Sequence, residues 1–549
     1  MVKKILALFT KTSTLFCLLL VINLCVILHC FADKKGFHSD EQWSYARANS
    51  AQIYLDKDTT SFLKVSENAE IFNRWTDNSA FADYLTVQKD NKFSYENINH
   101  NLKYVEHPPL YFVLIHTITS FFPNSFSKWY AGAINLVAFV LIYLMLFKLS
   151  KLLLKDDKLA LCVTALWGFS VIGVSTIVYL RMYVLQTLFS ICLCYEMIKI
   201  IQNNQATNKE LALIFLFSFL GIFNQYNAIF FSFFATLFGC LIFLRRKNHK
   251  LMFKLACVML LSVIMLFVIY PQAYEVLFDS WRAKQVLSNL TYTNKPEQTS
   301  LMEIIFAADI RLSNIIPIIS EQLFAFNHTD TKIVIFGLII GIVASIYLRP
   351  EISAATKWLL GVFIFYQIFL LSMPYMHIFH SRYYMSTMPF FALFSIMILS
   401  TSLSKLGKNK MTAVIVLLVA VNSLCFDFKE KSPYAFRWEK AEQTVYDEIK
   451  AKKVFIDNGQ SFIWLHSMVY YLANADKVFI TKNICDDVVI KNILKTKDPI
   501  IFTYASYIPK TNGYQEIKCL KDIGIDYETT VCPSQHCYDV WKKHENNLK

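Results

Sequence analysis

Two adjacent carboxylates, Asp40 and Glu41, stand in the run Phe37-His38-Ser39-Asp40-Glu41-Gln42-Trp43, a few residues past an apolar stretch that ends near Phe31. A carboxylate held within hydrogen-bond reach of a hydroxyl, about 2.6 to 3.2 Å, can take its proton. A second run, Tyr104-Val105-Glu106-His107-Pro108-Pro109-Leu110, sets Glu106 and His107 against two prolines, which break any helix arriving from Asn99. Two arginines complete the set: Arg181 in Leu180-Arg181-Met182-Tyr183, and Arg382 in His380-Ser381-Arg382-Tyr383-Tyr384. Both lie at ends of apolar runs, and a guanidinium can hold an oxyanion through two parallel N–H bonds. Each feature also has an ordinary reading. Exposed acid pairs are commonly surface, His107 suits a helix-boundary hydrogen bond, and Arg382 with Tyr383 and Tyr384 suits snorkelling and an aromatic belt. His377 and His380 read as ordinary polar residues, and no metal ligands are named.

The elements that must position these residues follow from composition. The chain has 549 residues, 55% hydrophobic and only 17% charged, with 47 Phe, 13 Gly and a mean hydropathy of +0.38. A soluble domain carries about 25% charged residues, so this is a polytopic membrane protein. The apolar runs are too long for the alternating strands of an outer-membrane barrel, so the spans are helices. They fall at about Leu15 to Phe31, Tyr130 to Phe147, Leu159 to Leu180, Val184 to Ile198, Leu211 to Ile222, Ala228 to Leu244, Leu255 to Tyr270, Ile333 to Leu348, Trp358 to Met373, Pro389 to Leu403 and Ala413 to Phe426. That is about eleven transmembrane helices, several shorter than the roughly 20 residues a straight span needs.

The net charge of +13 is topological. Alternating the spans places Lys148 to Lys158, Arg245 to Lys254 and Lys405 to Lys410 on one side with Lys3, Lys4 and Lys11, as the positive-inside rule requires. No nucleic-acid partner is therefore expected. The N-terminus is predicted cytoplasmic, in an inner or plasma membrane. The first run reads as an uncleaved anchor rather than a signal peptide, being longer than the usual 7 to 15 residues of a signal core. Leu110 to Phe122 is too short to span and reads as an interfacial aromatic helix. Counting it as a span would put Lys148 to Lys158 outside, so both acidic motifs belong to one outer loop.

The resulting organisation is a first transmembrane helix over 1–32, a first extracytoplasmic loop over 33–129, a helical core over 130–426 and an extracytoplasmic α/β domain over 427–549. In that tail, strands at Lys453 to Asp457, Lys477 to Thr481 and Ile500 to Tyr504 alternate with helices, the pattern of a parallel α/β layer, and the tail looks independent. Of 13 Cys, four lie in it: Cys485, Cys519, Cys532 and Cys537. Outside the cytoplasm they imply one or two disulfides of open pairing. A zinc site at Cys532, His536 and Cys537 matches no closed tetrahedral spacing.

The Asp40-Glu41 pair, the Glu106-His107-Pro108-Pro109-Leu110 motif and Leu180-Arg181-Met182-Tyr183, in that order and on one side, resemble the GT-C membrane glycosyltransferases of the protein O-mannosyltransferase and lipid A aminoarabinose transferase type. The resemblance covers roughly Met1 to Ser402. It implies a donor sugar on a polyprenyl phosphate and a glycan, lipid or protein acceptor, with membrane lipids around the core. It implies inversion at the anomeric carbon, with Asp40 as general base. Glu41 would orient the sugar, Glu106 and His107 would close the pocket, and Arg181 with Tyr183 and Arg382 with Tyr383 would meet the leaving phosphate. A divalent cation is compatible with such an enzyme, but no residue pattern indicates one. The rival reading is a lipid or sugar transporter or flippase. Such proteins carry ionisable residues within spans and often repeat their halves. Here the acids lie in outer loops, and no repeat is evident.

Overall fold

In the computed structural model, the described residues are 12–50, 72–102, 107–279, 319–325, 352–372, 381–426, 434–457, 462–505 and 517–543. Helices dominate, as the long apolar runs require. Among the described residues six are long and apolar enough to cross a membrane: Thr12–Asp33, Lys128–Leu154, Tyr183–Asn203, Ala228–Arg245, His249–Ile269 and Arg382–Ser402. Helices Asn208–Asn224, Ala354–Ser372 and Lys408–Leu424 occupy three further expected runs, and the Ile333 to Leu348 run lies outside the described residues. Leu110–Thr119 is a helix of 10 residues, far short of a span, as its length in the sequence implied.

The run expected from Leu159 to Leu180 is not one straight helix. It divides into Asp157–Gly168 and Val171–Val178, bent by 62°. Ser170 starts the second half by accepting the Gly173 amide at 3.0 Å, and a side chain at Gly173 would collide with the Trp167 carbonyl. The second half ends buried, where its last carbonyls need partners. Asn135, fully buried on the Lys128–Leu154 span, donates its amide to the carbonyls of Ile177 (2.8 Å) and Tyr179 (2.9 Å) and accepts the Tyr111 hydroxyl (3.1 Å). The break thus delivers the Tyr179–Met182 turn to a fixed place.

Beyond the membrane core lies a six-stranded sheet of order β1-β3-β2-β4-β6-β5. Strands β2 (Lys453–Asp457), β3 (Lys477–Thr481) and β4 (Ile500–Tyr504) are parallel and match the runs read from the sequence; β6 (Tyr538–Lys543) and β5 (Ile525–Val531) add antiparallel. Strand β1, however, is Trp75–Asp77 from the first loop, pairing antiparallel with β3 through Trp75 and Phe479. The tail is therefore not independent, because its sheet incorporates the first loop. Disulfides join Cys485 to Cys519 and Cys532 to Cys537, so the zinc reading of Cys532 and Cys537 is replaced by a covalent bond between them.

Candidate functional site

The site is built on the helix Ser39–Asn49, which starts three residues after the linker Lys34-Lys35-Gly36 leaves the first span. Its start is a capping box with His38 in an unusual role. The His38 Nδ1 accepts the Asp40 amide at 3.0 Å, and the Glu41 carboxylate reaches back to accept the His38 amide at 2.7 Å. The remaining first-turn amide, that of Ser39, is accepted by the Gln535 side chain at 2.9 Å, from the loop closed by Cys532 and Cys537. Gln42 then bridges to the Phe462–Leu472 helix, donating to the Ser467 carbonyl (3.1 Å) and accepting the Tyr470 amide (2.8 Å). The helix bearing the acid pair is thus gripped by the C-terminal layer.

Neighbouring helix positions point about 100° apart, and this decides the fates of the two acids. The Asp40 side chain keeps 21% exposure. Its Oδ2 accepts Arg382 Nη1 at 2.7 Å and the Tyr179 hydroxyl at 3.1 Å. Burial by itself would raise this carboxyl, but the charge of Arg382, with that of Arg181 behind it, holds it well below the usual carboxylate range. Glu41 is completely buried and accepts Lys34 Nζ (3.0 Å), the His38 amide (2.7 Å) and the Leu180 amide (2.8 Å). That placement departs from the expected sugar-orienting role: the carboxylate ties three backbone segments together and faces no opening. Burial raises its carboxyl against the pull of Lys34, and burial lowers the Lys34 ammonium against the pull of Glu41.

Arg181 is nearly as deep, at 3% exposure. Its Nη1 donates to Ser44 Oγ (2.8 Å) and the Asp40 carbonyl (3.2 Å), and its Nη2 faces His107 Nε2 at 3.0 Å. A guanidinium only donates, so Nε2 is the acceptor and His107 is neutral there. Burial, and then the charge of Arg181, hold the His107 ring well below its ordinary value, in keeping with that role. Arg382 is more open, at 13% exposure, with its guanidinium 5.3 Å from the Tyr383 ring centre. Tyr183 stacks on Tyr179 at 5.8 Å and meets Tyr383 edge-on at 6.4 Å.

The structure therefore brings together Asp40, His107, Arg181, Tyr183, Arg382 and Tyr383. Glu106, His377 and His380 lie outside the described residues. Sequence reasoning missed Tyr179, which touches both Asp40 and Arg382 and is stacked at 4.1 Å on Tyr434 of the tail, and it missed Lys34, Ser44 and Gln535. The position of Tyr179, two residues before Arg181 at the end of an apolar run, was the available signal. Among the described residues no three His, Cys, Asp or Glu side chains gather as metal ligands.

Residues 106–273 match the family described as dolichyl-phosphate-mannose-protein mannosyltransferase, under a third of the chain. Over this segment the chain is similar to a GT-C mannosyltransferase family. The glycosyltransferase class and the helical membrane fold expected from the sequence agree with that similarity. The matched segment carries His107, Tyr179, Arg181 and Tyr183, and Asp40 and Arg382 lie on either side of it. No curated protein matches the chain in sequence. Two solved structures are similar in outline: ArnT from Cupriavidus metallidurans bound to undecaprenyl phosphate, at TM-score 0.43 and 10% identity over 98% of this chain and 99% of that one, and the Archaeoglobus fulgidus oligosaccharyltransferase tethered to an acceptor peptide, at TM-score 0.43 and 12% identity over 83% and 63%.

Proposed function

We propose that the GT-C glycosyltransferase moves a sugar from a polyprenyl-phosphate-linked donor to a hydroxyl of a glycan, lipid or protein acceptor, on the side of the membrane where the sheet lies, with inversion at the anomeric carbon. The observation that carries this reading is the Asp40 carboxylate, partly exposed and 2.7 Å from the guanidinium of Arg382 at the end of a membrane helix. An acid and a cation side by side at a membrane surface are what the reaction needs. Asp40 takes the proton of the acceptor hydroxyl, the hydroxyl oxygen bonds to the anomeric carbon, and the bond from that carbon to the phosphate oxygen breaks with its electron pair on the phosphate. Arg382 faces the charge that develops there. Arg181 serves as a positioning residue, because its Nη groups are spent on Ser44, the Asp40 carbonyl and His107. Tyr183 and Tyr383 form the aromatic wall beside Arg382. The N-terminus lies in the cytoplasm and the sheet on the opposite face, which suits a lipid-linked donor.

Mass spectrometry of envelope glycans and lipids from cells with and without the gene identifies the sugar and its acceptor. With those substrates, Asp40→Asn is expected to lower turnover by about 10²- to 10⁴-fold while donor binding survives. Full transfer by purified, folded Asp40→Asn removes Asp40 as the base.

A further inference from the structure

The turn that carries the candidate base is held from the far end of the chain. Pairing between β5 and β6 ends at Val531 and Tyr538, and the loop Cys532-Pro533-Ser534-Gln535-His536-Cys537 joins them. Gln535 lies beyond that last pair, so the ladder does not fix it; the Cys532–Cys537 bond closes the loop across its mouth. At the loop ends the Cys532 amide donates to Glu442 Oε1 at 3.1 Å and the Cys537 carbonyl accepts the Ala505 amide at 3.1 Å. Between them the Pro533 carbonyl accepts Trp438 Nε1 at 3.3 Å, and Gln535 takes both polar groups of Ser39: its Oε1 accepts the amide at 2.9 Å and its Nε2 donates to the hydroxyl. Glu41 and Gln42, both buried, tie the same helix to Lys34, to the Leu180 amide and to the Phe462–Leu472 helix, but their side chains bond neither Ser39 nor Asp40. Gln535 therefore grips the residue bonded directly to the Asp40 nitrogen, on a part of the turn that those two anchors leave alone.

We propose that Gln535 is a positioning residue for the transfer reaction, fixing the first helical turn so that Asp40 faces the acceptor hydroxyl, and that the Cys532–Cys537 bond acts on the reaction only by holding Gln535. This rests on the reading of Asp40 as the base. Without Gln535 the Ser39 amide and hydroxyl lose their partner, and the turn shifts about its remaining cap, the His38 Nδ1 that accepts the Asp40 amide at 3.0 Å. Glu41 and Gln42 keep the body of the helix in place, so the fold survives. Arg382 is carried by a separate membrane helix, Arg382–Ser402, so the group that meets the phosphate stays where it is. Proton transfer is the step that suffers, since a misplacement of about 1 Å can cost about 100-fold. The second disulfide has no such route. Cys519 packs with Phe455, Phe479 and Leu520 on one face of the sheet, whereas Val454 and Ile456, alternating with Phe455 along β2, face the core that contains the membrane helices.

The full chain in lipid nanodiscs is compared as wild type, Gln535→Leu, Gln535→Glu, Cys532→Ser/Cys537→Ser, the triple variant of Gln535→Leu with both serines, Cys485→Ser/Cys519→Ser and Asp40→Asn, each with its thermal melt as a folding check. The first readout needs no substrate: hydrogen exchange by mass spectrometry over residues 37–45 is expected to quicken at least about threefold in Gln535→Leu and in Cys532→Ser/Cys537→Ser, and to stay at the wild-type rate in Gln535→Glu and Cys485→Ser/Cys519→Ser. A Glu side chain still accepts the Ser39 amide, which makes it the conservative rescue. With the donor and acceptor found by envelope mass spectrometry, Gln535→Leu is expected to lose about tenfold in kcat while its affinity for undecaprenyl phosphate stays within about twofold of wild type, and Gln535→Glu to recover most of the loss. The triple variant should turn over as Gln535→Leu does, because the bond has no second route. Wild-type turnover by folded Gln535→Leu, or a loss of undecaprenyl phosphate binding equal to the loss in kcat, refutes positioning by Gln535. A further loss in the triple variant refutes the claim that the disulfide acts through it. Full transfer by Asp40→Asn overturns the reading of Asp40 and this proposal together, and is distinct from failure of Gln535 alone, where Asp40→Asn is impaired and Gln535→Leu is not.

Discussion

Replacing Glu41 by Gln changes one atom of a side chain that the structure places at zero exposure, and the consequence is predicted to be structural rather than catalytic. The carboxylate accepts three donors: Lys34 Nζ, the His38 amide and the Leu180 amide, at 3.0, 2.7 and 2.8 Å. An amide offers one oxygen, so at least one of these donors must face an NH₂ group instead. The worst case is Lys34, an ammonium at zero exposure left without its counter-ion. Breaking a buried pair from one side costs about 3 to 5 kcal/mol. Lys34 keeps the Tyr434 carbonyl at 2.7 Å and the Phe436 ring at 4.9 Å, which favours the lower end, about 3 kcal/mol, or two powers of ten in the folding equilibrium. The pair is not itself a source of stability, because burial works against the charge on both partners. The double variant Lys34→Met/Glu41→Gln, which leaves no buried charge, is therefore expected to recover part of the loss. Thermal unfolding of the purified protein in detergent, followed by tryptophan fluorescence, gives the comparison, with Asp40→Asn as the partly exposed reference. Wild-type melting of Glu41→Gln, or simple additivity in the double variant, refutes this account of the buried pair.

Three further expectations follow from other contacts. Burial, with the charge of Arg47, holds His466 down to about 3. Its folded value lies below the ordinary 6.5, so its contribution to stability is complete above about pH 6.5 and is lost as pH falls toward 3, at about 1.4 kcal/mol per unit; His466→Asn should melt with a visibly weaker acid dependence between pH 6.5 and 5. At Gly36 a side chain would strike the Pro533 carbonyl and come within 2.6 Å of Trp438 Nε1, so Gly36→Ala should loosen the C-terminal layer from the linker at a cost of about 1 to 3 kcal/mol, read as faster proteolysis of the tail. Reporter fusions at Lys250 and Lys408 are expected to read cytoplasmic and one at Lys510 extracytoplasmic; a cytoplasmic signal at Lys510 would separate the sheet from any lipid-linked donor supplied outside.

What could be read beforehand depended on whether the information was local. Long apolar runs and the short continuous apolar cores of β2, β3 and β4 are local signals, and they marked the parallel strands and most of the spans among the described residues. The break within residues 157–178 was harder, since an unbroken apolar run conceals a bend that only Ser170 as a helix start and the close approach at Gly173 betray. Strand β1 is three residues long, too short for any period, and its only reason to be a strand is the edge of β3, some 400 residues away. At the site, Asp40, Arg181 and Arg382 were nameable because an acid or arginine at a span end is conspicuous. That Glu41 turns inward was not, because the direction depends on the helix phase set by His38 at the cap. Asn135 and Gln535 were invisible for the same kind of reason, as an amide gains meaning only from the backbone groups it meets.

The sheet that takes its edge strand from residues 75–77 and the rest from 453–543 has a consequence for the order of biosynthesis. A chain is made from its N-terminus, so Ser39, Gln42 and β1 leave the ribosome hundreds of residues before Gln535, Tyr470 and β3, which complete them. Until the final stretch has been made and Cys532 has met Cys537, the first turn of the helix bearing Asp40 lacks one of its caps and β1 has no edge to join. A nascent or truncated chain can therefore form its apolar helices and still lack a finished site, which the last residues made complete.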